Sequence, residues 1–206
     1  MKILITGVAG FIGFNFAKNL LEKKQYKIIG LDNLNDYYDV NLKKKRINQL
    51  IKSKKFKFYK INIQDRLKIE KIFKYNKIDF VFHFAAQAGV RYSIDYPRKY
   101  VESNIIGFYN LIENVRNYKI KRLFYASSSS VYGENKNFPL NEKENIFPKN
   151  IYGLSKKVNE EIGLIFNKYY KVKLIGLRFF TIYGEWGRPD MMMIKFIDSY
   201  YKKKIF

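Results

Sequence analysis

Apolar positions along this chain fall into short continuous runs, separated by stretches in which they recur every three or four residues. Lys2 to Thr6 is a β-prone apolar run, and Phe11, Phe14, Ala17, Leu20 and Leu21 then mark one face of a helix. A second run, Tyr26 to Leu31, leads into a polar loop, Asn33 to Asp39, and a helix from about Asn41 to Lys52. Phe56 to Ile61 predicts a third strand, and Asp65 caps a helix reaching about Tyr75. Ile78 to Phe84 reads as a fourth strand, apolar except for Asp79 and His83. After Pro97 a long helix carries Val101, Ile105, Phe108, Leu111, Ile112 and Val115 on one stripe. Lys121 to Ala126 predicts the fifth strand and residues 134–150 a polar connector. Ile151 to Tyr170 reads as a helix with Ile151, Leu154, Val158, Ile162, Ile165 and Tyr169 towards the core, and Val172 to Phe180 as the sixth strand. Another helical segment starts after Met191. Continuous apolar strands alternating with amphipathic helices specify an α/β fold, a parallel sheet covered on both faces.

The junction of the first strand and helix carries Gly7, Gly10 and Gly13. Glycines there let the backbone approach a pyrophosphate, and the helix N-terminus aims free N–H groups and its positive dipole end at the phosphates. Asp32 ends the second strand, nineteen residues after Gly13, where a carboxylate accepts from ribose hydroxyls and repels a 2′-phosphate. The ligand implied is a dinucleotide, NAD rather than NADP. Lys2 ahead of an apolar stretch also fits a secretory signal, but the glycines interrupt the run and no small-residue cleavage site follows.

Composition changes the picture little. At 206 residues and 47% hydrophobic content the chain can bury a substantial core. It has no cysteine, which excludes disulfides and thiolate metal sites and fits a reducing cytoplasm; no metal site is expected. No apolar run approaches the ~18 residues that cross a bilayer. The net charge is +22, with lysines clustered from Lys43 to Lys60 around Arg46. Such a run could lie on RNA or an anionic membrane. Because lysine is abundant from end to end, it reads instead as a solvated helix and turn, with neither nucleic acid nor membrane as a partner.

Chemistry is expected at the C-terminal ends of the strands, where open α/β sheets bind ligands. The fourth strand runs into Phe84-Ala85-Ala86-Gln87-Ala88-Gly89-Val90-Arg91, whose small residues admit a flat ligand. His83, the only histidine, sits inside the strand and reads as a core residue. The fifth strand runs into Ser127-Ser128-Ser129-Ser130. The next helix opens with Tyr152 and Lys156, one turn apart on the same face. A phenol titrates near ~10, so a tyrosine acting as a base at neutral pH needs its phenolate favoured by about three units, roughly 4 kcal/mol. Lys156 as an ammonium, with the positive nicotinamide ring, could supply much of that, while a hydroxyl such as Ser128 steadies the same substrate oxygen. The chemistry supported is hydride transfer between a sugar carbinol and NAD.

These landmarks resemble the extended short-chain dehydrogenase/reductase family, specifically its nucleotide-sugar epimerases and dehydratases, and among them the UDP-glucuronate 4-epimerases. The likeness rests on Thr6 to Gly13, Leu31-Asp-Asn-Leu-Asn-Asp-Tyr-Tyr-Asp39, Ala85 to Ser93, Ser127 to Gly133, Tyr152-x-x-x-Lys156, Leu177 to Thr181 and Trp186 to Met191. It implies a Rossmann-like doubly wound sheet over residues 1–180, carrying NAD and the catalytic residues. Residues 181–206 would be the start of a substrate-binding region of which most is missing, leaving turnover weak or lost. The resemblance makes Tyr152 the base, Lys156 the holder of the nicotinamide ribose and Ser128 the holder of the sugar 4-oxygen. Gly7, Gly10, Gly13, Asp32, Asn33, Asn62, Ile63, Ala85, Ala86, Asn104 and Phe179 would complete the cofactor site. Asn62 stands where the family has Asp, and its amide can still bond adenine. Arg91, Ser129, Ser130, Thr181 and Arg188 would help bind the UDP-sugar. Dehydratases carry an Asp-Glu pair where Ser129 and Ser130 stand, and decarboxylases a Glu at the Ser130 position, which leaves epimerisation of UDP-glucuronate to UDP-galacturonate through a 4-keto sugar. A homodimer, a cytoplasmic location and a role in polysaccharide biosynthesis are also implied. The rival readings are a non-catalytic NAD- or anion-binding fragment of such an enzyme and a related nucleotide-sugar dehydratase or decarboxylase.

Overall fold

The structure, a computed structural model, describes residues 1–202. Its first half alternates strand and helix: β1 (Lys2–Thr6), α1 (Phe11–Glu22), β2 (Lys27–Asp32), α2 (Val40–Leu50), β3 (Phe56–Lys60), α3 (Arg66–Tyr75) and β4 (Phe80–His83). Two short helices, α4 (Tyr92–Asp95) and α5 (Pro97–Tyr100), run through a π-helical turn at Val101–Ile106 into α6 (Gly107–Asn117). Then come β5 (Arg122–Ser128), a 3-10 turn at Ser129–Val131, α7 (Ile151–Tyr170), β6 (Leu174–Phe179) and α8 (Met192–Tyr201). The strands form one parallel sheet in the order β3-β2-β1-β4-β5-β6. The order reverses between β1 and β4, and the crevice at their C-terminal ends is where a doubly wound sheet takes its ligand.

Alternation along β1 shows why both faces are covered. Ile3 and Ile5 pack with Phe14, Ile28 and Ile47 on one side, and Leu4 packs with Ile69, Phe108, Leu123 and Phe166 on the other. His83 is a core residue, as its place in the strand predicts. Thr6 Oγ1 lies 2.7 Å from its Nδ1, and burial drives its pKa down to about 3.

Three expectations from the pattern fail. The long helix after Pro97 is interrupted by the π-helical turn, whose extra residue per turn rotates the stripe. Val101 is therefore exposed and Asn104 fully buried. In α7 the inward face is Gly153, Ser155, Lys156, Asn159, Gly163 and Phe166, while Leu154, Ile165 and Tyr169 are 43%, 52% and 66% exposed. Small residues let this helix lie close to its neighbours: a Cβ on Gly153 would stand 2.6 Å from Ser130 O. Finally, the basic run is not wholly a solvated face. Arg46 is completely buried and Lys43 nearly so, both on the inner side of α2.

Beyond β6, residues 181–191 fold back over the crevice. Trp186 packs on Phe14 with ring centroids 5.4 Å apart. Helix α8 then buries no residue.

Candidate active site

A cavity of about 390 Å³ opens at the C-terminal ends of β1, β2, β4, β5 and β6. Its floor is the glycine turn. Gly7 has φ +70°, a conformation glycine takes without Cβ strain, and any Cβ there would stand 2.6 Å from Ala85 N. Gly13 lies in the first turn of α1 so close to Gly7 that its Cβ would stand 2.3 Å from Gly7 O. Helix N-terminus, turn and β4 loop thus meet at backbone contact.

Asp32 ends β2 beside this turn. Its carboxylate accepts from Ala9 N at 3.0 Å and Leu34 N at 2.8 Å. Burial raises its pKa, opposed by those amides and by the nearby charges of Lys43 and Arg46. Lys43 Nζ donates to Asn35 O at 2.7 Å and Asn35 Oδ1 at 2.5 Å, and sits 4.3 Å from the centroid of the Tyr38 ring.

The serine loop and α7 form the opposite wall. Asn150 caps α7 by accepting from Gly153 N at 2.8 Å, which sets Tyr152 in the first turn. Lys156, one turn on, is fully buried, and its Nζ donates to Ala126 O at 2.8 Å. Burial lowers its pKa to about 8. Ser128 Oγ accepts from Ser130 N at 3.1 Å and donates to Ser130 Oγ at 3.2 Å, so its position is fixed. The Tyr152 phenol is raised by burial, while a hydrogen bond from Ser128 and the charge of Arg188 pull it down. The Lys156 ammonium lies 6.0 Å from the tyrosine ring centroid and donates to a carbonyl.

Behind Ser128, the serine wall is braced from outside the cavity. Ser127 Oγ donates to Glu160 Oε1 at 2.5 Å, and Arg178 grips the same carboxylate at 3.0 and 2.8 Å. Tyr37 and Arg188 line the cavity and both bond Asp190 outside it. Arg188 pairs with Asp190 at 3.0 and 2.8 Å, and the Tyr37 hydroxyl donates to Asp190 Oδ2 at 3.2 Å.

Most residues singled out from sequence line this cavity: Gly7, Gly10, Gly13, Asp32, Asn33, Ile63, Ala85, Ala86, Ser128, Ser129, Ser130, Tyr152, Lys156, Phe179, Thr181 and Arg188. Three do not. Arg91 is exposed at the start of α4, outside the wall. Asn62 turns away to accept from Gln64 N at 3.3 Å. Asn104 is a buried clamp: it accepts from Gln87 N at 2.7 Å and donates to Gln87 O at 3.1 Å and Ser155 Oγ at 2.9 Å. The π-helical turn puts its neighbour Ser103 at the wall instead. Sequence reasoning gave no role to Tyr37, Tyr38 and Lys43, which also line the cavity. Two adjacent tyrosines in an otherwise polar loop were the available signal.

A doubly wound sheet with a glycine turn, a carboxylate ending β2 and a Ser–Tyr–Lys wall has the architecture of the short-chain dehydrogenase/reductase type. The chain belongs to the NAD dependent epimerase/dehydratase family, whose model matches residues 3–205. It is 47% identical over 200 residues to Protein CapI of Staphylococcus aureus, covering 97% of this chain and 59% of that protein. It is 40% identical to a probable UDP-glucuronate 4-epimerase of Rhizobium meliloti, covering 97% of this chain and 58% of the relative. The crystal structure of UDP-glucuronic acid 4-epimerase from Bacillus cereus, in complex with UDP-glucuronic acid and NAD, matches with a TM-score of 0.92 at 33% identity, covering 99% of this chain and 64% of that one. The chain thus spans about three-fifths of the length of these relatives.

Proposed function

We propose that this chain is the NAD-binding, catalytic portion of a nucleotide-sugar 4-epimerase that converts UDP-glucuronate to UDP-galacturonate. The observation that carries the reading is the convergence of glycine turn, Asp32, Ser128, Tyr152 and Lys156 on one cavity. NAD fits the residues present: the turn is a cradle that Cβ atoms at Gly7 and Gly13 would fill. Gly7, Gly10 and Gly13 would approach the pyrophosphate, Asp32 and Asn33 the adenosine ribose, Ile63 the adenine, and Ala85, Ala86, Phe179 and Lys156 the nicotinamide half. When bound, NAD supplies the acceptor that takes the sugar C4 hydride and gives it back to the other face.

The chain's own residues do the rest. Tyr152 takes the proton from the 4-hydroxyl and returns it to the 4-oxygen after the sugar has turned. Ser128, whose Oγ accepts from Ser130 N, turns its hydroxyl hydrogen from Ser130 Oγ to that oxygen. Burial keeps the unliganded phenol protonated, so its activation needs Lys156 to turn from Ala126 O towards the ribose and tyrosine. Ser129, Thr181 and Arg188 surround the space left for the sugar and offer hydrogen bonds and one positive charge to its carboxylate. Arg91 would reach it only after a rearrangement of the loop before α4. No carboxylate stands at Ser129 or Ser130 to drive elimination, which favours epimerisation over dehydration.

A homodimer is part of the proposal, supported by the apolar face of α7 (Leu154, Ile165 and Tyr169) and the exposed Val101, Ile106 and Tyr109 beside it. A cytoplasmic place in polysaccharide biosynthesis accords with a sugar-nucleotide substrate, and no helix among the described residues is long and apolar enough to cross a membrane. The test is Tyr152→Phe. Sugar-dependent reduction of bound NAD should vanish while NAD affinity stays within a few-fold. Binding that is indifferent to this substitution, strongly salt-sensitive and never accompanied by reduction would favour a non-catalytic anion-binding protein.

A further inference from the structure

Among the described residues Arg46 pairs with no carboxylate, although it is completely buried. Its guanidinium joins the N-terminal part of the chain to a segment that begins 140 residues after Arg46 itself. Nη1 donates to Ala9 O in the glycine turn at 2.8 Å and to the Tyr38 hydroxyl at 2.7 Å. Nη2 donates to Trp186 O at 2.5 Å and Gly187 O at 3.3 Å. Trp186 has φ +63°, a left-handed conformation that costs a bulky residue on the order of 1–2 kcal/mol and persists only where neighbours hold it. The holders are Arg46, the Phe14 ring, and Asn15, whose Nδ2 donates to the preceding Glu185 O at 3.1 Å. The residue after Gly187 is Arg188, which faces the cavity and pairs with Asp190.

We propose that Arg46 is a positioning residue: it clamps the 185–190 segment to the glycine turn and so aims Arg188 at the sugar end of the cavity. The planar fork suits this task, because two nitrogens serve two backbones in fixed geometry, and a lysine at the same place could serve only one side fully. A buried charge that bonds four oxygens through Nη1 and Nη2, with no carboxylate paired to it among the described residues and Nε left without a partner, also makes the clamp intolerant of partial loosening. The inference rests on the epimerase reading for what Arg188 recognises, but not for the clamp itself.

Trp186 is the only tryptophan, so its fluorescence reports the clamped segment without any ligand. In Arg46→Lys and Arg46→Gln, checked for folding by circular dichroism, tryptophan emission should shift to the red and become more open to acrylamide. Emission and quenching identical to the parent overturn the clamp. Calorimetric titration then separates its consequence. With NAD present, UDP-glucuronate affinity should fall by about tenfold, the loss of one charge-assisted contact, while NAD affinity changes much less. Arg188→Ala should cause a similar loss, and Arg46→Lys added to Arg188→Ala should cost nothing further; additive losses overturn the claim that Arg46 acts through Arg188. If neither Arg46 variant folds, Asn15→Ala removes the neighbouring tether and should give a smaller red shift and weaker UDP-glucuronate binding, and no change in either overturns the proposal. A parent chain that binds NAD but no UDP-glucuronate refutes the functional reading and with it the aiming of Arg188, leaving the fluorescence result to decide the clamp.

Discussion

Gly13→Ala sets two effects of known sign against each other. Gly13 lies inside α1, so helix propensity alone favours alanine by about 1 kcal/mol. The contact opposes this: the new Cβ would stand 2.3 Å from Gly7 O, 2.9 Å from Gly7 C and 3.0 Å from Val8 Cα. All three atoms are backbone of the glycine turn, which is itself pinned by Gly7 N donating to Leu31 O at 2.8 Å. Overpacking against atoms that cannot rotate away costs about 1–3 kcal/mol and occasionally more. With backbone contacts this short the upper end of that range applies, about 2–3 kcal/mol, so after the helix gain the substitution should cost about 1–2 kcal/mol, or roughly 2–8 °C in melting temperature for a domain of this size. Because α1 can yield only by lifting off the turn, NAD affinity should fall by about tenfold or more, the equivalent of one well-placed contact. Gly10→Ala is the control. Its Cβ would meet the same oxygen at 3.0 Å and little else, so about 1 kcal/mol or less should be lost. Thermal melts and NAD calorimetry on the two variants read both quantities. A Gly13→Ala chain that melts at or above the parent and binds NAD equally well would refute the reasoning.

Acid should destabilise the chain through His83. Its folded pKa of about 3 lies below the unfolded value near 6.5, so the unfolded state binds the extra proton, and stability present above pH 6.5 is lost progressively down towards pH 3. Urea midpoints that stay flat across that window would contradict this. Lys156 acts the same way at higher pH: with its folded pKa near 8 and its free value near 10.5, its contribution to stability should improve between those limits, and Lys156→Met should flatten that rise. Sugar-dependent NAD reduction should increase with pH as the raised Tyr152 phenol ionises, and Ser128→Ala should move that rise further up, since the Ser128 hydrogen bond lowers it; an unmoved profile would remove Ser128 from the tyrosine's environment. Glu160→Gln leaves the Arg178 guanidinium without its paired carboxylate and should cost about 3 kcal/mol in denaturant unfolding, whereas a loss below ~1 kcal/mol would make the bridge a surface ornament.

Local pattern carried far in this chain. Strands β1, β2 and β4 show as apolar runs, and the glycine turn, the Asp65 cap and the start of the Tyr152 helix are encoded within a few residues of where they act. What the pattern could not carry is tertiary choice. Helix α7 turns its small and polar residues inward because Gly153 and Gly163 allow close packing, so its richest apolar stripe lies outside. The π-helical turn exchanges Asn104 for Ser103 at the cavity wall, a one-residue rotation invisible in composition. Lys43 and Arg46 look like any other lysine and arginine of a basic helix, and only partners at Asn35, Ala9 and residues 186–187 draw them in. The cavity's serine, tyrosine and lysine were legible because they stand at the two ends of one connector; its arginine clamp was not, since half of it lies far along the chain.

The central claim, that this chain couples an NAD cradle to a tyrosine base, is tested most directly by one titration series. NAD is added to the 206-residue chain and to Tyr152→Phe, UDP-glucuronate follows, and the absorbance of reduced nicotinamide is recorded. Both proteins should bind NAD, and sugar-dependent reduction should appear in the parent alone, even if turnover is slow. Failure of the parent to bind NAD, or reduction that persists undiminished in Tyr152→Phe, would contradict it.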